Sequence, residues 1–180
     1  MTFNGIVAPI IFTSGSQTSV QVPSELAGTT SASVSLSNGG QATPAFTVPI
    51  AAAAPGLFTL DYTGVGQVTA LTTGGPNSSK NPAHKGTAVL LFATGEGVTT
   101  PAGVDGTIQT NLIIRQPVQP VSVQIAGSAA PVSSSGSVPG DVAGVVEIGI
   151  PVPATVSATG AVPITLSIGG VTQKTTIVIR

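Results

Sequence analysis

Val34-Ser35-Leu36-Ser37-Asn38-Gly39-Gly40 alternates apolar and polar side chains and then ends in two glycines. In a β-strand this alternation places Val34 and Leu36 on one face and the serines on the other, as a sheet with one solvated face requires. The glycines supply the positive φ angles of a tight hairpin. A similar stretch, Ile164-Thr165-Leu166-Ser167-Ile168-Gly169-Gly170, lies 130 residues further along. Both halves of the chain are therefore predicted to contain antiparallel β-structure.

Two further blocks recur in the same order. Residues 2–10 align with residues 124–132, and residues 20–23 align with residues 148–151. The offset between the copies drifts from 122 to 128 to 130 residues, which places the insertions in loops. Three collinear blocks predict a tandem repeat of one supersecondary unit.

The chain of 180 residues carries few charges. Charged residues make up 6%, against about 25% in ordinary soluble proteins, and the net charge is −1. We therefore predict no nucleic-acid partner, and the absence of a run of about 18 apolar residues predicts no membrane insertion. A surface of Ser, Thr, Gln, Asn and Gly is usual in secreted β-rich modules. It favours an extracellular or cell-surface location, with the export signal expected outside this sequence.

Helix signals are absent, because 15 prolines and 23 glycines punctuate the chain and the β-branched runs alternate. A single helical turn is expected at residues 23–27. Short strands between glycine turns predict an all-β fold of β-sandwiches. The predicted strands are residues 10–13, 20–22, 32–37, 45–50, 57–60, 67–72, 87–93, 121–125, 145–150, 162–168 and 174–179.

The stretch Ala51-Ala52-Ala53-Ala54-Pro55-Gly56 is too short to nucleate a helix and is interpreted as a junction. It predicts two Ig-like β-sandwich modules in tandem, residues 1–54 and residues 55–180. Residues 86–95 have no counterpart ahead of the first copy, so the first module is predicted to be truncated at its N-terminus. An incomplete sheet has an open edge, which either the second module covers or another chain pairs with.

The core is predicted from strand alternation and from the repeat. The phenylalanines of the apolar strands, at positions 12, 46, 58 and 92, are expected to be buried. The expected core comprises Val34, Leu36, Phe46, Val48, Phe58, Leu90, Phe92, Val123, Ile148, Ile150, Ile164, Leu166 and Ile177.

The longest polar loops are residues 73–85 and residues 96–116, and loops on a rigid scaffold often carry function. They are the candidate binding sites for a ligand, polysaccharide before others. Sugar-binding faces usually stack aromatic rings on the sugar. Here Trp is absent, and Tyr62 stands alone near Phe58.

Catalytic chemistry has little support in the sequence. His84 is the only histidine, so a Ser-His-Asp arrangement would need it as the base, with Asp61, Asp105 or Asp141 to orient it. There is no Gly-x-Ser-x-Gly elbow and no cysteine. We predict no catalytic site and expect His84 to be an exposed or loop-packed residue with no nucleophile in reach.

Other chemistry stays open on the sequence alone. Glu96 and Asp105 are candidate calcium ligands, although their spacing matches no calcium-binding loop and isolated loop acids are usually solvated. The lysines that could form an intramolecular isopeptide bond are Lys80, Lys85 and Lys174. The six acidic residues show no pairing typical of glycoside hydrolysis. We predict no metal site and no cofactor.

Further segments stand in a distinctive order along the chain. They are Val20-Gln21-Val22-Pro23 with Glu25-Leu26, Ala51-Ala52-Ala53-Ala54-Pro55-Gly56-Leu57-Phe58, Asn81-Pro82-Ala83, Leu91-Phe92-Ala93-Thr94-Gly95 and Pro120-Val121-Ser122-Val123. Together they resemble the uncharacterised Solibacter-type C-terminal domain family, Ig-like or TIG-like β-sandwich modules at the ends of large secreted bacterial proteins. The resemblance covers nearly the whole chain. It implies an extracellular modular protein and no established activity.

These observations predict a non-catalytic structural, spacer or adhesion module of a larger secreted or cell-surface bacterial protein. Its expected partners are the other modules of that protein. The alternative is a module that binds polysaccharide or another ligand through residues 73–85 and 96–116. The open sheet edge adds self-association as a further possibility.

Overall fold

The computed structural model describes residues 1–110 and 112–180. These residues form an all-β fold, as predicted, without an α-helix. One 3₁₀ turn, Ser24–Leu26, lies inside the single helical turn expected from the sequence. No helix of this part of the chain is long and apolar enough to span a membrane. The strands are β1 (Thr2–Phe3), β2 (Ile6–Val7), β3 (Ile10–Thr13), β4 (Thr18–Val20), β5 (Ser31–Ser35), β6 (Ser37–Asn38), β7 (Gln41–Ala42), β8 (Phe46–Pro49), β9 (Gly56–Leu57), β10 (Ala70–Thr72), β11 (Gly75–Pro76), β12 (Ala88–Thr94), β13 (Thr99–Thr100), β14 (Gln116–Pro117), β15 (Val121–Ile125), β16 (Ser128–Ala130), β17 (Ser134–Ser137), β18 (Val145–Pro151), β19 (Gly160–Ile168) and β20 (Val171–Ile179).

The C-terminal part contains two antiparallel sheets that share one core. One sheet has the order β11-β10-β12-β18-β17, with β9 paired to β12, and the other has the order β16-β15-β19-β20. Leu91 and Ile148 of the first sheet, and Ile164 and Ile177 of the second, are fully buried in this core. The two sheets therefore form a β-sandwich around it.

Residues 1–50 form a smaller unit with its own core. Its main sheet has the order β2-β1-β5-β8, accompanied by two separate hairpins, β3–β4 and β6–β7. Phe3, Leu26 and Val34 are buried there, and Val20 of β4 packs against them. This core holds 5 buried residues, against 22 in the larger one. A division of the chain between residues 54 and 55 stays a prediction.

The repeat predicted from the sequence is present in the strand pairing. β1 pairs with both β2 and β5, and β15 pairs with both β16 and β19. Phe3 lies opposite Val34 in the first copy, and Ile125 lies opposite Ile164 in the second. β5 then pairs with β8, as β19 pairs with β20. The sheet β2-β1-β5-β8 therefore repeats as β16-β15-β19-β20, and the hairpin β3–β4 takes the place in the chain of β17–β18.

Both copies also begin with the same tight turn. Asn4 and Gly5 have φ angles of 51° and 83°, and Ala126 and Gly127 have φ angles of 48° and 81°. Two successive positive φ angles are the mark of a type I′ hairpin, which matches the twist of its strands. Ala126 adopts a left-handed conformation that residues with a Cβ atom rarely take. The geometry of the type I′ turn is thus the same in both copies, although Ala126 stands in the second where Asn4 stands in the first.

The predicted core is correct in part. Buried as expected are Val34, Val123, Ile148, Ile150, Ile164, Leu166 and Ile177. Leu36, Val48, Leu90 and Phe92 are only half-buried. The prediction is wrong for the exposed side chains of Phe12, Phe46 and Phe58.

The prediction of which β12 side chains face the core is wrong, because apolar and polar residues do not alternate along this strand. Its sequence, Ala-Val-Leu-Leu-Phe-Ala-Thr, is apolar at nearly every position. Such a run does not indicate which side faces the core. The structure buries Val89, Leu91 and Ala93 and turns Leu90 and Phe92 to the other face.

Phe46 is exposed for a different reason. It lies directly opposite Val34, so both side chains project from the same face of the small sheet. Val34 is 1% exposed, whereas Phe46 is 53% exposed. The apolar face of this sheet therefore extends further than the chain itself covers.

We expect truncation of Leu91 to destabilise the fold more than truncation of Phe92. Leu91→Ala should lower the free energy of unfolding by about 2 to 5 kcal/mol, because it leaves a cavity in a close-packed core. Phe92→Ala should lower it by about 1 kcal/mol, as is usual for a partly exposed site. Urea denaturation of both variants measures the difference. An equal or larger loss for Phe92→Ala would contradict the assigned phase of β12.

Candidate functional site

The first candidate loop, residues 73–85, makes hydrogen bonds with the edge of β20. The side-chain amide of buried Asn77 donates to the carbonyl of Val178 at 2.8 Å, and its Oδ1 accepts the N–H of Val178 at 3.0 Å. Further along, the N–H of Ala83 donates to the same carbonyl at 2.9 Å, and the N–H of Arg180 donates to the carbonyl of Ala83 at 2.9 Å. The loop thus satisfies a strand edge that would otherwise lack partners.

The second candidate loop, residues 96–116, is described except for residue 111, and a polar network holds the described part. The guanidinium of Arg115 donates to Gln109 Oε1 and to the carbonyl of Ala102, the latter at 3.2 Å. Gln109 is buried, and its backbone N–H donates to the carbonyl of Asp141 at 2.8 Å. The N–H of Arg115 donates to Ser137 Oγ at 3.0 Å. The loop is therefore fixed to the hairpin β17–β18.

Asp105 in this loop joins the two parts of the chain. Its Oδ1 accepts the side-chain amide of Gln21 at 2.9 Å, and its Oδ2 accepts the backbone N–H of Ser24 at 2.6 Å. The N–H of Gly106 donates to Gln21 Oε1 at 2.7 Å. Hydrogen bonds to a carboxylate are stronger than those between neutral groups. Asp105, a candidate triad acid and calcium ligand in the sequence, instead acts as a clamp between residues 21–24 and the loop.

The predicted junction, residues 51–56, is packed against the second unit. Ala53 is buried in the larger core, and the N–H of Ala54 donates to the carbonyl of Gly95 at 2.8 Å. A Cβ atom at Gly95 would stand 1.9 Å from the carbonyl oxygen of Ala54, and one at Gly97 would stand 2.0 Å from that of Ala52. Only glycine allows this approach. The junction is therefore a docked segment.

Glu96 lies between these two glycines and is buried. Its side chain is 3% exposed, and Oε2 has no hydrogen-bond partner among the described residues. Burial raises the pKa of this carboxyl group to about 7, because the charged form loses its hydration. The expectation of a solvated loop acid is wrong for Glu96. Across the described residues, no group of three or more His, Cys, Asp or Glu side chains is placed to hold a metal ion.

The other candidate residues lie apart from one another. His84 is exposed, and within residues 1–110 and 112–180 its ring has no hydrogen bond to a carboxylate or a hydroxyl group. Asp141 is exposed too, and Asp61 belongs to a turn described next. The candidate isopeptide lysines are exposed at positions 80 and 174 and half-buried at position 85.

The turn that follows β9 presents Tyr62 to solvent. Tyr62 is 97% exposed and has a φ angle of 59°, in the left-handed region. Asp61 Oδ1 accepts the N–H of Thr63 at 3.1 Å and its hydroxyl at 2.9 Å. Hydrogen bonds from the hydroxyl of Thr59 and from Thr63 hold the pKa of Asp61 below its usual value. A backbone outlier kept in place by such contacts is a feature to test for function.

Beside Tyr62 lies an open groove of about 780 Å³. Phe58, Leu60 and Phe92 supply its apolar lining, and Asp141 supplies a carboxylate. Gln173 supports the groove from β20, because it accepts the N–H of Leu57 and donates to the carbonyl of Gly64 at 2.7 Å. No lining residue comes from residues 73–85 or 96–116. One signal for this groove is visible in the sequence, the proximity of Tyr62 to Phe58.

A comparison with models of protein families, with curated proteins and with solved structures finds no match. The resemblance to the Solibacter-type C-terminal domain family therefore stays a prediction.

We expect the stability of the fold to depend on the ionisation of Glu96. Its pKa is about 7 in the folded chain, against 4.5 for an ordinary glutamate, so the unfolded chain loses this proton first as the pH rises. The contribution of Glu96 to stability is complete below pH 4.5 and is lost as the pH rises to about 7. Glu96→Gln should remove this pH dependence. The free energy of unfolding of the variant, relative to that of the wild type, should therefore rise by about 1 to 3 kcal/mol between pH 4.5 and pH 8.

Urea denaturation at a series of pH values measures this effect. Glu25→Gln, a change at an exposed site, is the matched control. An unchanged difference between Glu96→Gln and the wild type across this pH range would contradict the burial of the carboxyl group.

Proposed function

We propose that this chain is a structural or spacer segment, built from Ig-like modules, of a larger secreted or cell-surface bacterial protein, with no catalytic role. An adhesive contribution would come through its partners rather than through an enzymatic site. The observation that carries the proposal is the joint between the two parts of the chain. A spacer must keep its modules in a fixed arrangement, and several contacts serve that purpose here.

Two sets of contacts hold the joint. The alanine segment 51–54 lies against Gly95 and Gly97 with no room for a Cβ atom. Asp105 and Gly106 hold Gln21 and Ser24 through three hydrogen bonds between 2.6 and 2.9 Å. A flexible linker would leave such groups to water. These two sets of contacts support a role in which the chain keeps one module in a fixed orientation relative to the next.

The surface chemistry supports an extracellular setting. Only 6% of the residues are charged, and most exposed polar side chains carry hydroxyl or amide groups. Loops are held by amide side chains such as Asn77, Asn81 and Gln173. The Solibacter-type resemblance agrees with this setting. We therefore propose an extracellular or cell-surface location together with the structural role.

We expect the clamp at Asp105 to be necessary for the fixed arrangement. The chain has no cysteine, so spin labels at Ser16→Cys and Ser157→Cys can report the distance between its two parts. Asp105→Ala removes two hydrogen bonds to a carboxylate, each worth about 1.5 to 3 kcal/mol. The distance distribution, measured by pulsed electron paramagnetic resonance, should become broader.

Asp141→Ala is the matched control, because its carboxylate is exposed. A broad distribution in the labelled protein with Asp105 intact would contradict the spacer role. So would hydrolytic activity on ester, peptide or glycoside substrates that is lost in His84→Ala.

The groove beside Tyr62 favours a second candidate function, the binding of polysaccharide. A sugar ring has an apolar face for stacking and hydroxyl groups for hydrogen bonds. Tyr62 and Phe58 offer aromatic faces, and Asp141 offers an acceptor at the same groove. Tyr62 lies in a turn with a left-handed backbone, which presents its ring to solvent at the groove.

We expect Tyr62→Ala to weaken glycan binding while leaving the fold intact, since this side chain is almost fully exposed. A glycan array followed by calorimetry on the best ligand measures the effect. Loss of a stacked aromatic ring should weaken binding about tenfold or more, equivalent to about 1.4 kcal/mol. Phe12→Ala, an exposed aromatic ring on β3, is the control. Equal effects of the two changes would exclude the groove as the binding site.

A further inference from the structure

The dipeptide Asn-Gly occurs twice in the chain, as Asn4-Gly5 and as Asn38-Gly39. In this dipeptide the backbone nitrogen of the glycine can approach the carboxamide carbon of the asparagine, because glycine has no Cβ atom to obstruct it. Both asparagines are exposed, and neither glycine N–H has a hydrogen-bond partner among the described residues. A difference in reactivity between the two sites must therefore come from how each asparagine side chain is held.

Asn4 is held by β5. Its Oδ1 accepts the N–H of Ser33 at 2.8 Å, and its own N–H donates to the carbonyl of Ser33 at 2.8 Å. Ser33 lies between Ala32 and Val34, both of which are buried in the small core. The carboxamide of Asn4 is therefore fixed to an anchored strand. Its bond to Ser33 must break before the group can turn toward the nitrogen of Gly5.

Asn38 lies in a hairpin without such an anchor. Among the described residues, β6 and β7 pair only with each other, through Ser37 opposite Ala42 and Asn38 opposite Gln41. Residues 37–43 are all exposed, so the hairpin adds no side chain to the core. An isolated two-stranded hairpin is at best marginally stable in water. We therefore expect β6–β7 to open locally while the rest of the fold stays intact.

The side chain of Asn38 is also unconstrained. It makes no hydrogen bond within the part of the chain that the structure describes. Gly39 and Gly40 have φ angles of 56° and 79°, which place them at the two central positions of a type I′ turn. The carboxamide of Asn38 thus lies next to the residue type with the greatest backbone freedom. No side-chain hydrogen bond has to break before the nitrogen of Gly39 reaches Cγ of Asn38.

We propose that Asn38 is a site of spontaneous modification, where the side-chain amide is converted to a carboxylate, whereas Asn4 stays intact in the folded chain. The nitrogen of Gly39 attacks Cγ of Asn38, the bond between Cγ and Nδ2 breaks, and ammonia leaves with the proton of the Gly39 N–H. The product is a succinimide ring. Water then opens one of the two C–N bonds of the ring, which gives aspartate or isoaspartate at position 38. Water is the only co-reactant.

The modification changes both the charge and the shape of the hairpin. Each product adds a negative charge to a chain whose net charge is −1. In isoaspartate the backbone runs through Cγ, so an additional carbon atom enters the strand and the pairing of Asn38 with Gln41 is lost. The inference does not depend on the proposed structural role, because it follows from the contacts of the two asparagines alone.

Peptide mapping by mass spectrometry tests the proposal on the full chain, incubated at mildly alkaline pH and digested rapidly in acid. The amide of Asn38 should be lost about tenfold or more faster than that of Asn4, because the two hydrogen bonds to Ser33 hold Asn4. The same chain in concentrated urea is the control, and there both dipeptides should react at similar rates. Equal rates in the folded chain, or faster loss at Asn4, would overturn the inference. So would a preference for Asn38 that persists in urea.

Two variants examine the part that the hairpin plays. Thr43→Val removes the hydroxyl group that accepts the N–H of Leu36 at 3.1 Å, so it loosens the base of the hairpin. The reaction at Asn38 should become faster and the reaction at Asn4 should not change. Asn38→Gln, at an exposed site, should abolish the slow gain of negative charge seen by ion-exchange chromatography, because the longer side chain forms the ring much less readily. An unchanged rate at Asn38 in Thr43→Val, or a charge gain that persists in Asn38→Gln, would contradict the proposal.

Discussion

The backbone groups at the edge of each strand need hydrogen-bond partners, and most features of this molecule follow from that requirement. β12 supplies them to β18 along seven residue pairs. Along β20 they come from a loop, in which the amide of Asn77 contacts Val178 as the backbone of a strand would. Leu57 donates in a similar way to the side chain of Gln173. Because amide side chains both donate and accept, they can continue a sheet where no strand is available.

The same requirement explains how a chain with few charges holds its loops. Neutral hydrogen bonds contribute about 1 kcal/mol each, so a loop needs several of them in fixed geometry. Asn81 donates to the hydroxyl of Thr72 and to the carbonyls of Gly75 and Pro76 at 3.0 to 3.1 Å. The carboxylate of Asp105 bridges distant parts of the chain, whereas the guanidinium of Arg115 holds residues of its own loop together. Glu96 is the exception, since its side chain is buried and its Oε2 has no hydrogen-bond partner among the described residues.

The sequence predicts the fold class because alternation and turn residues act locally. Residues 33–40 and 164–170 carry both signals, and the structure places hairpins at both pairs of glycines. The side of a strand that faces inward is harder to predict where a strand is apolar throughout, as in β12, since tertiary packing then decides. The candidate sites could not be predicted for a related reason. The burial of Glu96 and the position of Asp105 depend on contacts between residues more than 40 positions apart, which no local pattern encodes.

An internal repeat adds a kind of evidence that a single module lacks, because one copy serves as the reference for the other. The two copies share the sheet order, the type I′ turn and the cross-strand pairs, so a difference between them reflects their surroundings and not their fold. Val22 and Ile150 are both β-branched and both lie just before a proline, yet only Ile150 is buried. Their intrinsic preferences are nearly equal, so the difference in exposure comes from their surroundings, which for Ile150 are β12 beside β18 and the larger core. Exposure of an apolar side chain is common and carries little meaning alone. The exposure of Val22 is informative here because the equivalent residue of the second copy, Ile150, is buried.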